Sequence, residues 1–233
     1  MLEGCFLGLL DSRVKLTASE QRVADVIARK SKDLLEDLRL HVGLPTGGNN
    51  RDALEETRER FGIRLQELGA NTHMVGPDPK PEWLLGGEAG AYMPPTAVCE
   101  RLNGATSGRV MIAGHLDTVH DPEGDFLDLS IAPGGKTALG PGCVDMKGGL
   151  VIAVAALEAL EECGVAANWT FTLNSDEETG TYHSESALIE QAKLHDFGLA
   201  LEPALPGGEL VVERMGSGQF VIETVGKSAH VGR

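Results

Sequence analysis

The sequence predicts an α/β fold: a mostly parallel mixed sheet with helices on both faces. Three observations lead there. Short apolar runs alternate with longer helix-like stretches between residues 97 and 201. Several of the runs are nearly unbroken in apolar residues, as strands covered on both faces tend to be. His and carboxylate residues recur just beyond the ends of those runs, at the sheet edge where open α/β sheets bind ligands.

The elements follow in order. Apolar spacing through Val23, Val26, Ile27, Leu34, Leu35 and Leu38 predicts an amphipathic helix, broken part-way, with Thr17 or Ser19 as its N-cap. Residues 43–50 form a loop. A second helix spans Asp52 to Leu68, with Asp52 as cap, Glu55 completing a capping box and Gly69 as the stop. A strand at Asn71 to Val75 and a Pro- and Gly-rich exposed connection over 76–95 come next. Strands at Ala97 to Leu102 and Arg109 to Ala113, a helix at Lys147 to Cys163, a strand at Asn168 to Leu173, a helix at Ser184 to Lys193 and a strand at Phe197 to Leu201 complete the unit. Beyond Pro206, strands at Glu209 to Glu213 and Gln219 to Val225, with a bend at Gly216, Ser217 and Gly218, open a second unit. The expected division is thus 1–208 and 209–233.

Composition narrows the function. A chain of 233 residues with 42% hydrophobic content can bury a full core. Its formal net charge of -15 excludes nucleic acid as the expected partner, because phosphate recognition needs clustered Lys and Arg. The imbalance is uneven: residues 1–66 carry 11 basic and 11 acidic groups, and the remainder 9 and 24. Cation binding accounts for part of such acidity. Cys5, Cys99, Cys143 and Cys163 form no CxxC pair, so a reducing, cytoplasmic setting is expected. Residues 1–10 lack the basic start of a signal peptide, and no apolar run is long enough to span a membrane.

Four segments bring chemistry to one sheet edge. His115 and Asp117, in GHLDTV, follow the strand ending near Ala113, and Asp117 can fix the tautomer of His115. Asp145 lies in the glycine-rich GPGCVDMKGG, just before a helix, where the alternative role is an N-cap. In SDEETG, Glu177 and Glu178 follow a strand; on extended backbone they would point opposite ways, one toward a metal and one toward a reacting water. Glu202, in LEP, ends another strand. Imidazole and oxygen donors without thiolate suit zinc, cobalt or manganese, and two metals can share one carboxylate.

These motifs, with GKSAH at 226–230 and in this order, resemble the co-catalytic di-zinc metallopeptidases, a family that includes glutamate carboxypeptidase, acetylornithine deacetylase, succinyl-diaminopimelate desuccinylase and aminoacylase. The flavour is nearest the bacterial glutamate carboxypeptidases. The resemblance implies a zinc exopeptidase-like fold whose second unit is a smaller α+β lid and dimerisation domain. It also implies two Zn2+ ions, with Co2+ or Mn2+ as alternatives, bridged by Asp145; His115 and Glu202 would complete one and Glu178 the other. Asp117 would orient His115, Glu177 would be the general base, and His230 would reach the substrate in the partner's site of a homodimer. The implied activity is hydrolysis of an amide bond in a small peptide or N-acyl amino acid, foremost release of a C-terminal glutamate, with N-acyl-amino-acid deacylation as the near rival. The family's last metal-binding histidine and its substrate-carboxylate arginine lie downstream of the lid, so the expectation is an incomplete stretch of a longer enzyme. The other histidines, His41, His73, His120, His183 and His195, are expected at the surface or in loops.

Rival readings are a catalytically silent metal-binding module and a di-metal phosphoesterase. A phosphate loop ending Gly135, Lys136, Thr137 fails because Ser130 stands where its first glycine belongs. HExxH and GxSxG are both absent from the sequence.

Overall fold

A computed structural model describes residues 15–48, 50–83, 92–104, 108–205, 209–213, 215–216, 218, 220–227 and 230. The expectations for residues 1–10, part of the 76–95 connection, Ser217, Gln219, and the Ser228 and Ala229 positions of GKSAH lie outside the described residues.

Helix α1 (Ala18–Arg29) starts as expected: the Thr17 hydroxyl accepts from the Glu20 N–H, and the Glu20 carboxylate accepts from the Thr17 N–H. The predicted break falls at Lys30, where α2 (Ser31–Val42) begins. Helix α3 (Arg51–Glu67) is capped differently from expectation. Asn50, not Asp52, is the N-cap residue, and its side-chain amide donates to the Pro45 carbonyl at 3.0 Å. Glu55 is therefore released from any capping box and accepts from Arg58 at 2.5 Å and from Tyr92. Gly69, at φ +85°, turns the chain out of α3, a conformation that glycine adopts without steric cost.

The remaining elements are β1 (Asn71–Val75), β2 (Thr96–Arg101), β3 (Arg109–His115), β4 (Ser130–Ile131), β5 (Ala138–Leu139), α4 (Lys147–Glu162), β6 (Asn168–Asn174), α5 (Glu185–Lys193) and β7 (Phe197–Ala200). The sheet order is β1-β2-β6-β3-β7. The β1–β2 and β2–β6 pairings are antiparallel, whereas β6–β3 and β3–β7 are parallel. The sheet is mixed, as predicted; four strands run one way, but only half of the pairings are parallel. The β4–β5 hairpin was not expected, because two-residue strands leave no periodic signal.

Topology fixes where a site can form. The crossover from β3 through α4 returns to β6, on one side of β3, and the crossover from β6 through α5 passes to β7, on the other. Right-handed connections running in opposite directions put α4 and α5 on opposite faces. The adjacent carboxyl ends of β3 and β6 therefore flank a topological switch point, the crevice where open sheets bind ligands.

Strand β6 is buried along its whole length, and its faces differ in chemistry. Trp169, Phe171 and Leu173 join the core with Leu54, Phe61 and Leu65 of α3, and Leu150, Val154 and Leu157 of α4. On the other face, Thr170 meets His195 Nε2 at 2.8 Å, and the Asn174 amide donates to Ser184 Oγ at 3.3 Å. Polar side chains are tolerated there because each finds a partner.

Two further expectations fail. His41 is not at the surface: it is buried, stacks on Phe61 with centroids 4.1 Å apart, and faces Asp37 at 3.3 Å. The described residues of 209–213 and 220–225 form no strand, and Leu210 and Val212 are exposed. Apolar alternation yields a strand only when a neighbouring strand pairs its backbone groups, and none does so among the described residues.

Candidate metal centre

Each side chain of the centre is delivered by a different segment. His115 is the last residue of β3, level with Asn174 at the end of β6. Gly114 lets α4 close on the strand end, since a Cβ there would lie 2.4 Å from Leu150 Cδ2. Asp145 precedes α4 and is joined to Met146 by a cis peptide bond. The N-cap position belongs to Met146, so the Asp145 carboxylate is not spent on capping and stays half exposed. Gly149, in the first turn of α4, sits so close to the Leu201 carbonyl that a Cβ would be 2.1 Å from its oxygen. That approach brings Glu202 beside Asp145.

The donor atoms converge. One ligand atom each from His115, Asp145 and Glu178 lies within 4.8 Å of the others. His115 Nε2 is 2.9 Å from Asp145 Oδ1 and 3.6 Å from Glu202 Oε1. His115 Nδ1 lies 3.0 Å from the Asp117 carbonyl oxygen, an atom that can only accept. Nδ1 therefore carries a proton in either charge state of the ring, and Nε2, facing Asp145, is the atom that would exchange its proton for a cation.

Asp117 acts in a way its spacing did not suggest. Its carboxylate is 3.5 Å from His115 Nδ1, farther than its own carbonyl. It also accepts from the backbone N–H groups of Glu178, at 2.9 Å, and Glu177, at 3.3 Å. The two glutamates stand on a turn rather than on extended backbone, with Glu177 exposed and Glu178 half buried. Alternation along a strand is thus not what separates them.

The electrostatics fit a cation. Burial, then the Asp145 carboxylate, raises Glu178 above the ordinary carboxylate range against the pull of His115. Burial also raises Glu202; His115 opposes the rise and Asp145 adds to it. Burial works against a charge on His115, but the hydrogen bond and charge of Asp117, with Glu202 and Asp145, lift it to about 9. A divalent ion would relieve the repulsion among these carboxylates, and the imidazole and oxygen donor set suits one.

Residues 111–225 match the model of peptidase family M20/M25/M40, a span that holds His115, Asp117, Asp145, Glu177, Glu178 and Glu202. Over 223 residues the chain is 33% identical to Carboxypeptidase G2 of Pseudomonas sp. (strain RS-16), which covers 93% of this chain and 51% of that protein. The chain belongs to the M20/M25/M40 peptidases. This M20 chain is also 33% identical over 137 residues to succinyl-diaminopimelate desuccinylase 2 of Shewanella loihica, covering 53% of this chain and 36% of that one. It spans about half the length, or less, of these curated relatives. Among solved structures, human carnosine dipeptidase 1 shares the fold, with a TM-score of 0.64 at 21% identity over 79% of this chain and 41% of that one.

Of the sequence-predicted residues, the M20 chain brings His115, Asp145, Glu178 and Glu202 to one crevice, with Asp117 beneath and Glu177 at the rim. His230 is exposed and falls outside the three-residue donor group. Sequence reasoning missed two buried cations behind the site. Arg58, in α3, donates to Ser175 Oγ at 2.8 Å, directly before the acidic turn. Its position between Leu54 and Phe61, on the apolar stripe of the helix, was the available signal. Lys147 is buried, donates to the Leu44 carbonyl at 2.6 Å, and is lowered to about 8 by burial. Nothing in its local sequence marked it as buried.

Proposed function

We propose that this chain carries the metal-binding half of a zinc-dependent amide hydrolase that releases a C-terminal amino acid such as glutamate from a small peptide or N-acyl amino acid. One observation carries the reading: His115, Asp145 and Glu178 present donor atoms within 4.8 Å of one another, with Glu177 on the same turn as Glu178. In this reading residues 1–208 are the catalytic unit and 209–233 open a lid that pairs two copies. Asp145, His115, Glu202 and Glu178 would together hold two Zn2+ ions. The metals, when bound, polarise the scissile carbonyl and acidify water.

The chain's own groups do the rest. Asp117 holds the amides of Glu177 and Glu178, so the turn presents both carboxylates to the crevice. Glu177 takes a proton from the attacking water and returns it to the leaving amine, a role worth roughly 100- to 10,000-fold. His230, supplied by a second copy, steadies the substrate oxygen. Support for a glutamate-releasing carboxypeptidase over a deacylase comes from the longer match to Carboxypeptidase G2.

The test is Glu177→Ala in the longest natural form of the protein. It should keep its zinc, counted by mass spectrometry, and lose turnover by about 100-fold or more. Near-normal rates in that variant end the assignment. Rates on N-acylglutamates, set against N-acetylornithine and succinyl-diaminopimelate, decide the substrate class.

A further inference from the structure

The acidic motif contains a third carboxylate that the proposed chemistry leaves unused. Asp176 is 2% exposed, and among the described residues no Lys, Arg or His pairs with it. It is held by neutral donors instead. Oδ2 accepts from the His183 N–H at 2.6 Å and the Ser184 N–H at 3.3 Å. Oδ1 accepts from Ser184 Oγ at 2.6 Å and the Asn174 amide at 3.4 Å. Its backbone carbonyl accepts from the Thr181 N–H at 2.7 Å and the Thr179 hydroxyl at 3.2 Å.

These bonds tie the root of the turn to its far limb. Glu177 and Glu178 are the next two residues, and their N–H groups are gripped from the other side by Asp117. The turn also contains Thr181 at φ +62°, a conformation that non-glycine residues adopt only when their surroundings enforce it. Asp176 supplies that enforcement, since its side chain and carbonyl both close the loop around Thr181.

We propose that Asp176 is the positioning residue that sets the separate directions of Glu177 and Glu178, an inference that rests on the base and ligand roles given to those residues above. The two glutamates are not separated by strand alternation, so the turn must do it. A turn does so only while both of its ends are fixed. Displacing a catalytic carboxylate by about 1 Å can cost on the order of 100-fold in rate.

The chemistry dictates the variant. Asp176→Asn is nearly isosteric, but one side of the new amide presents N–H groups to donors. Oriented to keep Ser184 Oγ as its donor, it sets its NH2 against the His183 and Ser184 amides; flipped, it sets its NH2 against the Asn174 amide and turns Ser184 Oγ from donor to acceptor. Ser184→Ala is milder, removing the hydroxyl and sparing the bonds to Oδ2.

The experiment uses two readouts besides activity: amide hydrogen exchange at Glu177 and Glu178 in the metal-free protein, and a Co2+ titration followed by visible absorption. Asp176→Asn should speed exchange at both amides about ten-fold or more while β6 amides stay slow, and should weaken Co2+ binding by roughly 10- to 100-fold. Ser184→Ala should move both in the same direction by less, and it carries the test alone if Asp176→Asn does not fold. A variant that lowers the melting temperature yet leaves exchange at Glu177 and Glu178 and the Co2+ curve unchanged overturns the proposal. Glu178→Ala is measured alongside. If it binds Co2+ as the parent does, the ligand role fails, while the exchange result still decides the role of Asp176.

Discussion

Gly149→Ala tests how the site is assembled. An alanine Cβ at this position would lie 2.1 Å from the Leu201 oxygen and 3.0 Å from its carbonyl carbon, whereas ordinary contact begins near 3.4 Å. Leu201 must therefore retreat by about 1.3 Å, or α4 must move instead. The helix is the stiffer partner, because Lys147, Leu150, Val151 and Val154 bury its first turns, whereas β7 is exposed along its length. The retreat falls on Leu201 and carries Glu202 away from His115 Nε2, now 3.6 Å distant. Alanine regains about 1 kcal/mol of helix propensity, and overpacking costs about 1–3 kcal/mol, so net destabilisation stays near 0–2 kcal/mol. For a chain of this size that lowers the melting temperature by only a few degrees. Co2+ affinity should fall much more, by roughly 10- to 100-fold. A Co2+ titration and a thermal melt read both quantities. Gly62→Ala in α3 is the control: nothing lies within 4 Å of its Cβ, so it should gain stability and leave Co2+ binding alone. Parental Co2+ affinity in Gly149→Ala would refute the reasoning.

Arg58→Met removes a buried cation that joins Glu55 to Ser175. Because Glu55 is 44% exposed and rehydrates, the cost should be about 1–3 kcal/mol, read as a lowered urea midpoint; an unchanged midpoint would show that the pair is idle. Asp37 sets an acid limit on stability. Burial works to raise its pKa, but the hydrogen bond from His41 and the charge of Arg64 outweigh that and hold it below the usual value. Its folded pKa lies below its unfolded one, so the stabilisation is present above about pH 4 and is lost as pH falls through the folded value. Asp37→Asn should flatten the decline of melting temperature between about pH 5 and pH 3. A slope equal to the parent's would assign the acid sensitivity elsewhere.

The strand-end placement of His115 and Glu202 was legible because apolar runs stop there. Asp145 was legible because glycines surround it at a helix start. What spacing could not show was how tertiary approach spends each polar atom. Asp117 was expected to hold His115 with its carboxylate; its carbonyl is nearer still, and the carboxylate also serves the amides of the acidic turn. His41 follows Leu38 by three residues, so its place on the buried stripe was visible in principle. Its polarity argued for the surface, and stacking on Phe61 overrode that. The alternation of β6 was readable too, but alternation reports chemistry rather than exposure. Its threonine face is covered because donors and acceptors there are matched, something a hydropathy pattern does not encode.

Two kinds of contact hold the crevice, and they fail differently. Gly114, Gly148 and Gly149 allow backbone and helix to approach to distances that no side chain permits, so substitution there shifts geometry. Arg58, Lys147, Asp117 and Asp176 are buried polar groups that tie separate segments together, so their loss strands partners without filling space. Lys147, a residue 1% exposed, shows the second kind most plainly: its amine reaches from the helix after Asp145 to the Leu44 carbonyl. The loop it anchors runs at Gly47 beside Thr118, one residue from Asp117. The acidic turn, the histidine strand and the helix that follows Asp145 are thereby referenced to one another through buried hydrogen bonds rather than through apolar packing alone. A site assembled this way keeps its carboxylates in place despite their mutual repulsion, because moving any one of them breaks bonds that water cannot readily replace.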